Sequence, residues 1–149
     1  APPKLDNNIL RLCYLIGYID GDGSITADYN GGTINLTIAS SSKQIIEWFE
    51  ALFEEIFPFR LRARRGSLIM ELESMWRVCV GGYRAARILD ILVKLPVPKL
   101  ARKWENPRIL EMIEQSKRDY PEQWSVRLPI QDEIDAYLAT LASAAPIAA

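Results

Sequence analysis

Leu15-Ile16-Gly17-Tyr18-Ile19-Asp20-Gly21-Asp22-Gly23 joins an oily segment to an alternating one, and its reading decides the fold. Upstream, Ile9, Leu10, Leu12, Cys13 and Tyr14 carry the apolar run back to Asp6, Asn7 and Asn8, whose short polar side chains suit a helix N-cap. The spacing predicts a helix starting near Ile9 and apolar almost all the way round. Such a helix is buried on every side. A small domain covers one side, and a second copy of the same helix is the simplest cover for the other, so a homodimer is expected. Gly17 and Gly21, four residues apart, each cost roughly 1 kcal/mol against alanine in a helix. Close backbone approach by a partner helix gives that cost a reason.

Downstream the period changes to two. Ile25, Ala27 and Tyr29 alternate with Thr26, Asp28 and Asn30; after Gly31-Gly32, Ile34, Leu36 and Ile38 alternate with Thr33, Asn35 and Thr37. This pattern predicts a hairpin with one oily and one polar face. Helical spacing returns from Ser41 to Phe57, with Ser40 to Ser42 as caps, and Pro58 stops it. Phe59 to Arg64 alternates again, placing Arg60, Arg62 and Arg64 on one face, and a further strand is expected around Trp76 to Val80. Helices follow at Tyr83 to Leu95, near Asn106–Ser116 and at Pro129–Leu141. The order α, β, β, α, β, β, α, α, α is an α+β fold with an antiparallel sheet. At 149 residues the chain reads as a single domain over 1–149, with 1–6 and 142–149 as loose tails.

Composition narrows the chemistry. The chain has no histidine, which removes histidine-based hydrolases and histidine metal sites and leaves Asp, Glu, Lys, Tyr or bound water for acid, base or metal work. Its two thiols, Cys13 and Cys79, lie far apart in apolar stretches and read as reduced, intracellular cysteines. The chain opens on Ala1 rather than Met, the mark of a trimmed chain. The longest apolar-rich run, Leu12 to Ile19, falls far short of the ~20 residues needed to cross a bilayer, so no membrane partner is expected. Net charge is only -1, yet the charges are segregated. Residues 59–103 hold eleven Lys or Arg against three acids, residues 1–58 three against eight, and residues 104–149 four against eight. That clustering points to one basic face.

Asp20 and Asp22 fall where the helix dipole already makes the potential negative, and cations relieve such a pair. Asp-Gly-Asp-Gly is equally turn chemistry, which needs no metal. A calcium loop in this register would begin at Tyr18 and end at Tyr29, so it lacks both terminal ligands.

The stretch Leu15 to Gly23 resembles the LAGLIDADG motif of homing endonucleases, agreeing at six of nine positions, both acids included. The order of elements is similar over roughly residues 8 to 118. The resemblance implies the single-motif, homodimeric type: an αββαββα fold whose antiparallel sheet forms a DNA-binding saddle, here with extra C-terminal helices. It implies intron or intein homing by hydrolysis of both DNA strands across the minor groove, leaving 3′ overhangs. Asp22 would bind Mg²⁺ with help from the Gly21 carbonyl, Ca²⁺ serving as a non-catalytic substitute. Leu12, Leu15, Ile16, Gly17, Ile19 and Asp20 would lie at the dimer interface, Asp20 with a structural role. A basic residue after the second hairpin would act on the phosphate, Lys99 first, with Arg102 and Lys103 behind it. The family often places a glutamine just after the first hairpin; here Ala39 to Ser42 offers only serines, with Lys43 or Gln44 as substitutes.

The polar sheet face would then read double-stranded DNA through Thr26, Asp28, Thr33, Asn35, Thr37, Lys43, Arg60, Arg62, Arg64 and Arg77, arginine pairing with guanine or gripping phosphate. In most antiparallel sheets such a face merely meets solvent; three aligned arginines favour DNA. Trp48, Trp76, Trp104 and Trp124 show no base-stacking spacing and read as packing. The rival reading is a non-catalytic binder on the same fold, either a maturase acting on its own intron RNA or a transcription regulator.

Overall fold

The structure is a computed structural model and describes residues 3–28, 33–57 and 69–144. Helix α1 runs Asn8–Asp22, and the Asn7 side chain caps it by accepting from the Ile9 and Leu10 amides at 2.7 and 3.3 Å. Strands β1 (Gly23–Asp28) and β2 (Thr33–Ser40) form the first hairpin, and α2 (Lys43–Ile56) follows from a Ser42 cap. Strand β3 (Ile69–Glu71) turns into β4 (Trp76–Gly81), closed by the Leu72 amide on the Met75 carbonyl. Five helices complete the chain: α3 (Gly82–Val93), α4 (Ala101–Trp104), α5 (Pro107–Asp119), α6 (Pro121–Ser125) and α7 (Pro129–Ser143). The expected run Phe59 to Arg64, with Arg60, Arg62 and Arg64, lies outside the described residues.

The four strands form one antiparallel sheet in the order β1-β2-β4-β3, with Leu36 paired to Ile25 and to Val80. Period two then sorts the side chains. Ile34, Leu36, Ile38, Val78 and Val80 point inward and are buried against α1, α2, α3 and α5. Ser24, Thr26, Asn35, Thr37, Arg77, Cys79 and Met70 share the opposite face.

Within α1 the burial departs from expectation. Leu12, Leu15, Ile16 and Ile19 are at most 1% exposed in the single chain and belong to its own core. They therefore cannot meet a second copy, which corrects their placement at a dimer interface. Each contributes roughly 1.5–3 kcal/mol of burial, more than the two glycines cost, so α1 needs no partner to form. The helix is not covered all round either: Leu10 is 54% exposed, and Gly17 and Gly21 are exposed on the same side as Cys13 and Tyr14.

The C-terminal helices are tied on at specific points. Asn8 donates to the Glu133 carboxylate of α7, while Arg11 ties α1 to α2 by gripping Glu55 through two bonds of 3.0 Å. Arg87, the one buried charged residue among the described core, donates to the Gln123 and Val126 carbonyls and to Gln131 Oε1. Burial draws its pKa down and Asp90 opposes that, but a guanidinium stays charged. Arg87→Met keeps the bulk but strands both carbonyls, so urea unfolding is expected to show a loss of about 2–4 kcal/mol. A loss below about 0.5 kcal/mol would mean that water replaces the guanidinium. Helix α7 continues through Ser143, into the stretch expected as a tail, of which residues 145–149 lie outside the described residues. Helices α4 and α6 were not expected; at four and five residues they are too short to show a hydrophobic period.

Candidate functional site

The motif ends where α1 meets β1. Gly23 leaves the helix in an extended conformation, and a Cβ there would stand 2.7 Å from the Ile19 Cα, so no larger residue fits this corner. The opposite holds at Gly17 and Gly21, where a Cβ would meet nothing within 4 Å. Their open side continues the Leu10, Cys13 and Tyr14 stripe along the helix.

The two acids of the motif have different surroundings. Asp20 is half-buried and accepts two hydrogen bonds, from Trp104 Nε1 to Oδ1 at 2.6 Å and from the Leu100 amide to Oδ2 at 3.2 Å. Asp22 is exposed as the last residue of the helix, and no donor among the described residues engages its carboxylate. Asp20 is thus a fastening point and Asp22 is open to a ligand. Lys103 Nζ donates to the carbonyls of Ile19, Asp20 and Gly23 at 2.5, 3.0 and 2.8 Å, capping the negative end of α1. The Gly21 carbonyl is not among them.

The three basic candidates after the second hairpin separate by how far each is engaged. Lys99 Nζ donates to the Leu95 and Val97 carbonyls, which leaves one of its three donors. Lys103 has all three in use. Arg102 is exposed beside them. Burial lowers both lysine pKa values; Arg102 lowers that of Lys103 further, Asp20 opposes the fall at both, and Asp22 opposes it at Lys103.

On the polar sheet face Thr26 is exposed, while Thr33, Asn35, Thr37 and Arg77 are partly covered. Asn35 lies across Gly81, where a Cβ would come within 2.7 Å of its Oδ1. Thr37 Oγ1 donates to Cys79 Sγ at 3.4 Å, and Arg77 Nη2 lies 3.0 Å from Met70 Sδ. Asp28 closes β1 opposite Thr33. Lys43 stands off this face, its ammonium 4.7 Å from the Trp76 ring centroid and 3.7 Å from Glu47. The segregation of charge in sequence therefore overstates the basic surface. Arg87, Lys99 and Lys103 hold carbonyls, and Lys94 pairs with Asp90.

The donor set suits a hard cation in kind: the Asp22 carboxylate and the Gly21 carbonyl are oxygen ligands. In number it is incomplete, because Mg²⁺ takes about six such ligands. Among the described residues no three Asp, Glu, Cys or His converge.

Sequence reasoning brought Arg102 and Lys103 to this site as phosphate-facing cations but missed Leu100 and Trp104 as partners of Asp20 and Lys103 as a cap on α1. A buried indole N–H needs a partner, which was the available signal at Trp104; that the partner is Asp20, 84 residues earlier, is a property of the fold. No helix among the described residues is long and apolar enough to cross a membrane.

Comparison with known proteins gives two findings and one absence. Residues 10–74 match the family described as LAGLIDADG-like domain. Among solved structures the chain is similar to the homing endonuclease I-CvuI in complex with its target (Sro1.3) in the presence of 2 mM Ca, with 17% identity and a TM-score of 0.47 over 74% of this chain and 68% of that one. No curated protein matches the sequence.

Proposed function

Given a LAGLIDADG-like domain over residues 10–74, we propose that this chain is a homodimeric, divalent-metal-dependent homing endonuclease that cuts both strands of a long, nearly palindromic DNA site, leaving 3′ overhangs. The observation that carries this reading is the placement of Asp22. Its free carboxylate ends α1, beside the open stripe of Leu10, Gly17 and Gly21 and at the head of a strand whose outer face is polar.

Two copies meeting along that stripe with the two-fold axis running beside the end of α1 bring both Asp22 carboxylates together, because residues at the axis of an isologous contact meet their own mates. The bare backbone at Gly17 and Gly21 permits the close approach. Asp22 and the Gly21 carbonyl of each copy would hold a divalent metal there. When bound, Mg²⁺ supplies charge that offsets the phosphoryl oxygens and the leaving 3′ oxygen. Lys99, with one donor left, and exposed Arg102 steady the phosphate from the other side. Thr26, Asn35, Thr37 and Arg77 contact the duplex along the sheet.

The test is selection of bound sequences from a random duplex library in Ca²⁺, followed by a change to Mg²⁺. A long, nearly palindromic site that is then cut on both strands is the expected result. Convergence without cutting would replace this reading with a non-catalytic binder. No enrichment would remove DNA as the substrate.

A further inference from the structure

The short helix α4 reaches the motif from nearly the other end of the chain and makes five bonds to it. Two close on both oxygens of Asp20, from the Leu100 amide and the Trp104 indole. Three come from the Lys103 ammonium to the carbonyls of Ile19, Asp20 and Gly23. We propose that Lys103 and Trp104 are positioning residues: they lock the last turn of α1 so that Asp22 and the Gly21 carbonyl stand in a fixed geometry, and neither contacts DNA.

An ammonium has three donors and no acceptor, and here each donor has a carbonyl. To reach a phosphate Lys103 would have to give up a bond that caps the helix. The last carbonyls of a helix have no partner within it, and they carry the negative end of its dipole. A cation at that point offsets the carbonyls and the Asp20 charge together. Asp22 is left as the motif carboxylate that no donor among the described residues engages. The indole works at the same place from a fixed base, since Trp104 is 3% exposed and Asp20 takes its only N–H.

This inference rests on the endonuclease reading for its catalytic consequence, but the lock itself is testable without DNA. The variants are Lys103→Met, which removes the charge, and Trp104→Phe, which keeps a buried ring and removes only the N–H. In the free protein, amide exchange at Gly21, Asp22 and Gly23 is expected to quicken about tenfold or more in either variant. Exchange in the β2 and β4 core is expected to stay as in the wild type, which separates a local release from poor folding. Unchanged exchange at the motif end in both variants would overturn the lock.

With DNA, kcat is expected to fall about 10- to 100-fold while KM and the salt dependence of binding hold. A residue that contacts phosphate behaves otherwise, because its loss weakens binding and lowers the slope of log K against log salt by about one. Such a drop for Lys103→Met would overturn the positioning role. If the wild type neither binds nor cuts DNA, the endonuclease reading fails, and the exchange experiment still decides the lock.

Discussion

Asp22→Asn is expected to slow cleavage of the selected site by two to four orders of magnitude, on the order of what removing one charge-stabilising group costs other hydrolytic enzymes. Binding measured without divalent metal should stay within about threefold. The substitution keeps the size of the side chain and removes its charge. That charge makes no hydrogen bond among the described residues and acts on the fold only through its field at Lys103, since Asp22 is exposed. Stability should therefore stay within about 0.5 kcal/mol, as for exposed sites generally. The same change two residues earlier is expected to behave differently. Asp20 accepts from Trp104 and Leu100 with separate oxygens, and an amide would turn one of those acceptors into a donor facing a donor. Asp20→Asn should thus lower stability, and Asp22→Asn should not. Cutting by Asp22→Asn at the wild-type rate would remove Asp22 from the centre.

Gly17→Leu is expected to convert the proposed dimer to monomer and abolish the proposed double-strand cutting. Within the chain the new side chain meets nothing, because a Cβ at Gly17 has no neighbour within 4 Å. The folded monomer should gain roughly 1 kcal/mol, the helix preference of leucine over glycine. Across a two-fold axis the change is made twice at one contact, and two branched side chains hold the backbones apart. Sedimentation of the variant against the wild type reads the assembly, and thermal unfolding reads the fold. A variant that gains stability and stays dimeric would place the shared surface elsewhere. One that loses assembly and keeps its melting profile would confirm the Leu10–Gly21 stripe as the shared surface.

The legibility of the fold followed the length of each pattern. Helix α1 with a cap among Asp6 to Asn8, the first hairpin, α2 with a cap among Ser40 to Ser42 and α3 were readable because each spans at least six residues of one period or carries cap candidates in sequence, and the structure chose Asn7 and Ser42. Helices α4 and α6 were not, being shorter than two turns. At the site, the motif singled out Asp22 as the metal-binding candidate and set Asp20 apart as structural. Its partners were hidden, since nothing local links Asp20 to Leu100 and Trp104. The buried members of the expected interface, Leu12, Leu15, Ile16 and Ile19, were misplaced for a different reason. Periodicity shows that a helix is apolar on most sides, but it does not say which side the chain uses for its own core.

Local rules were enough to establish that an oily, glycine-bearing helix ends in two acids and leads into a sheet with one polar face. Cap chemistry, the 3.6 and 2.0 periods and the helix dipole act over a few residues, and the order of residues displays them directly. Tertiary packing assigned Leu12, Leu15, Ile16 and Ile19 to the interior and left Leu10, Gly17 and Gly21 open. It also turned Lys103 from a surface cation into a helix cap. Those outcomes depend on which distant segments come together, and the free energy that decides them is burial and hydrogen bonding across more than 80 residues of chain.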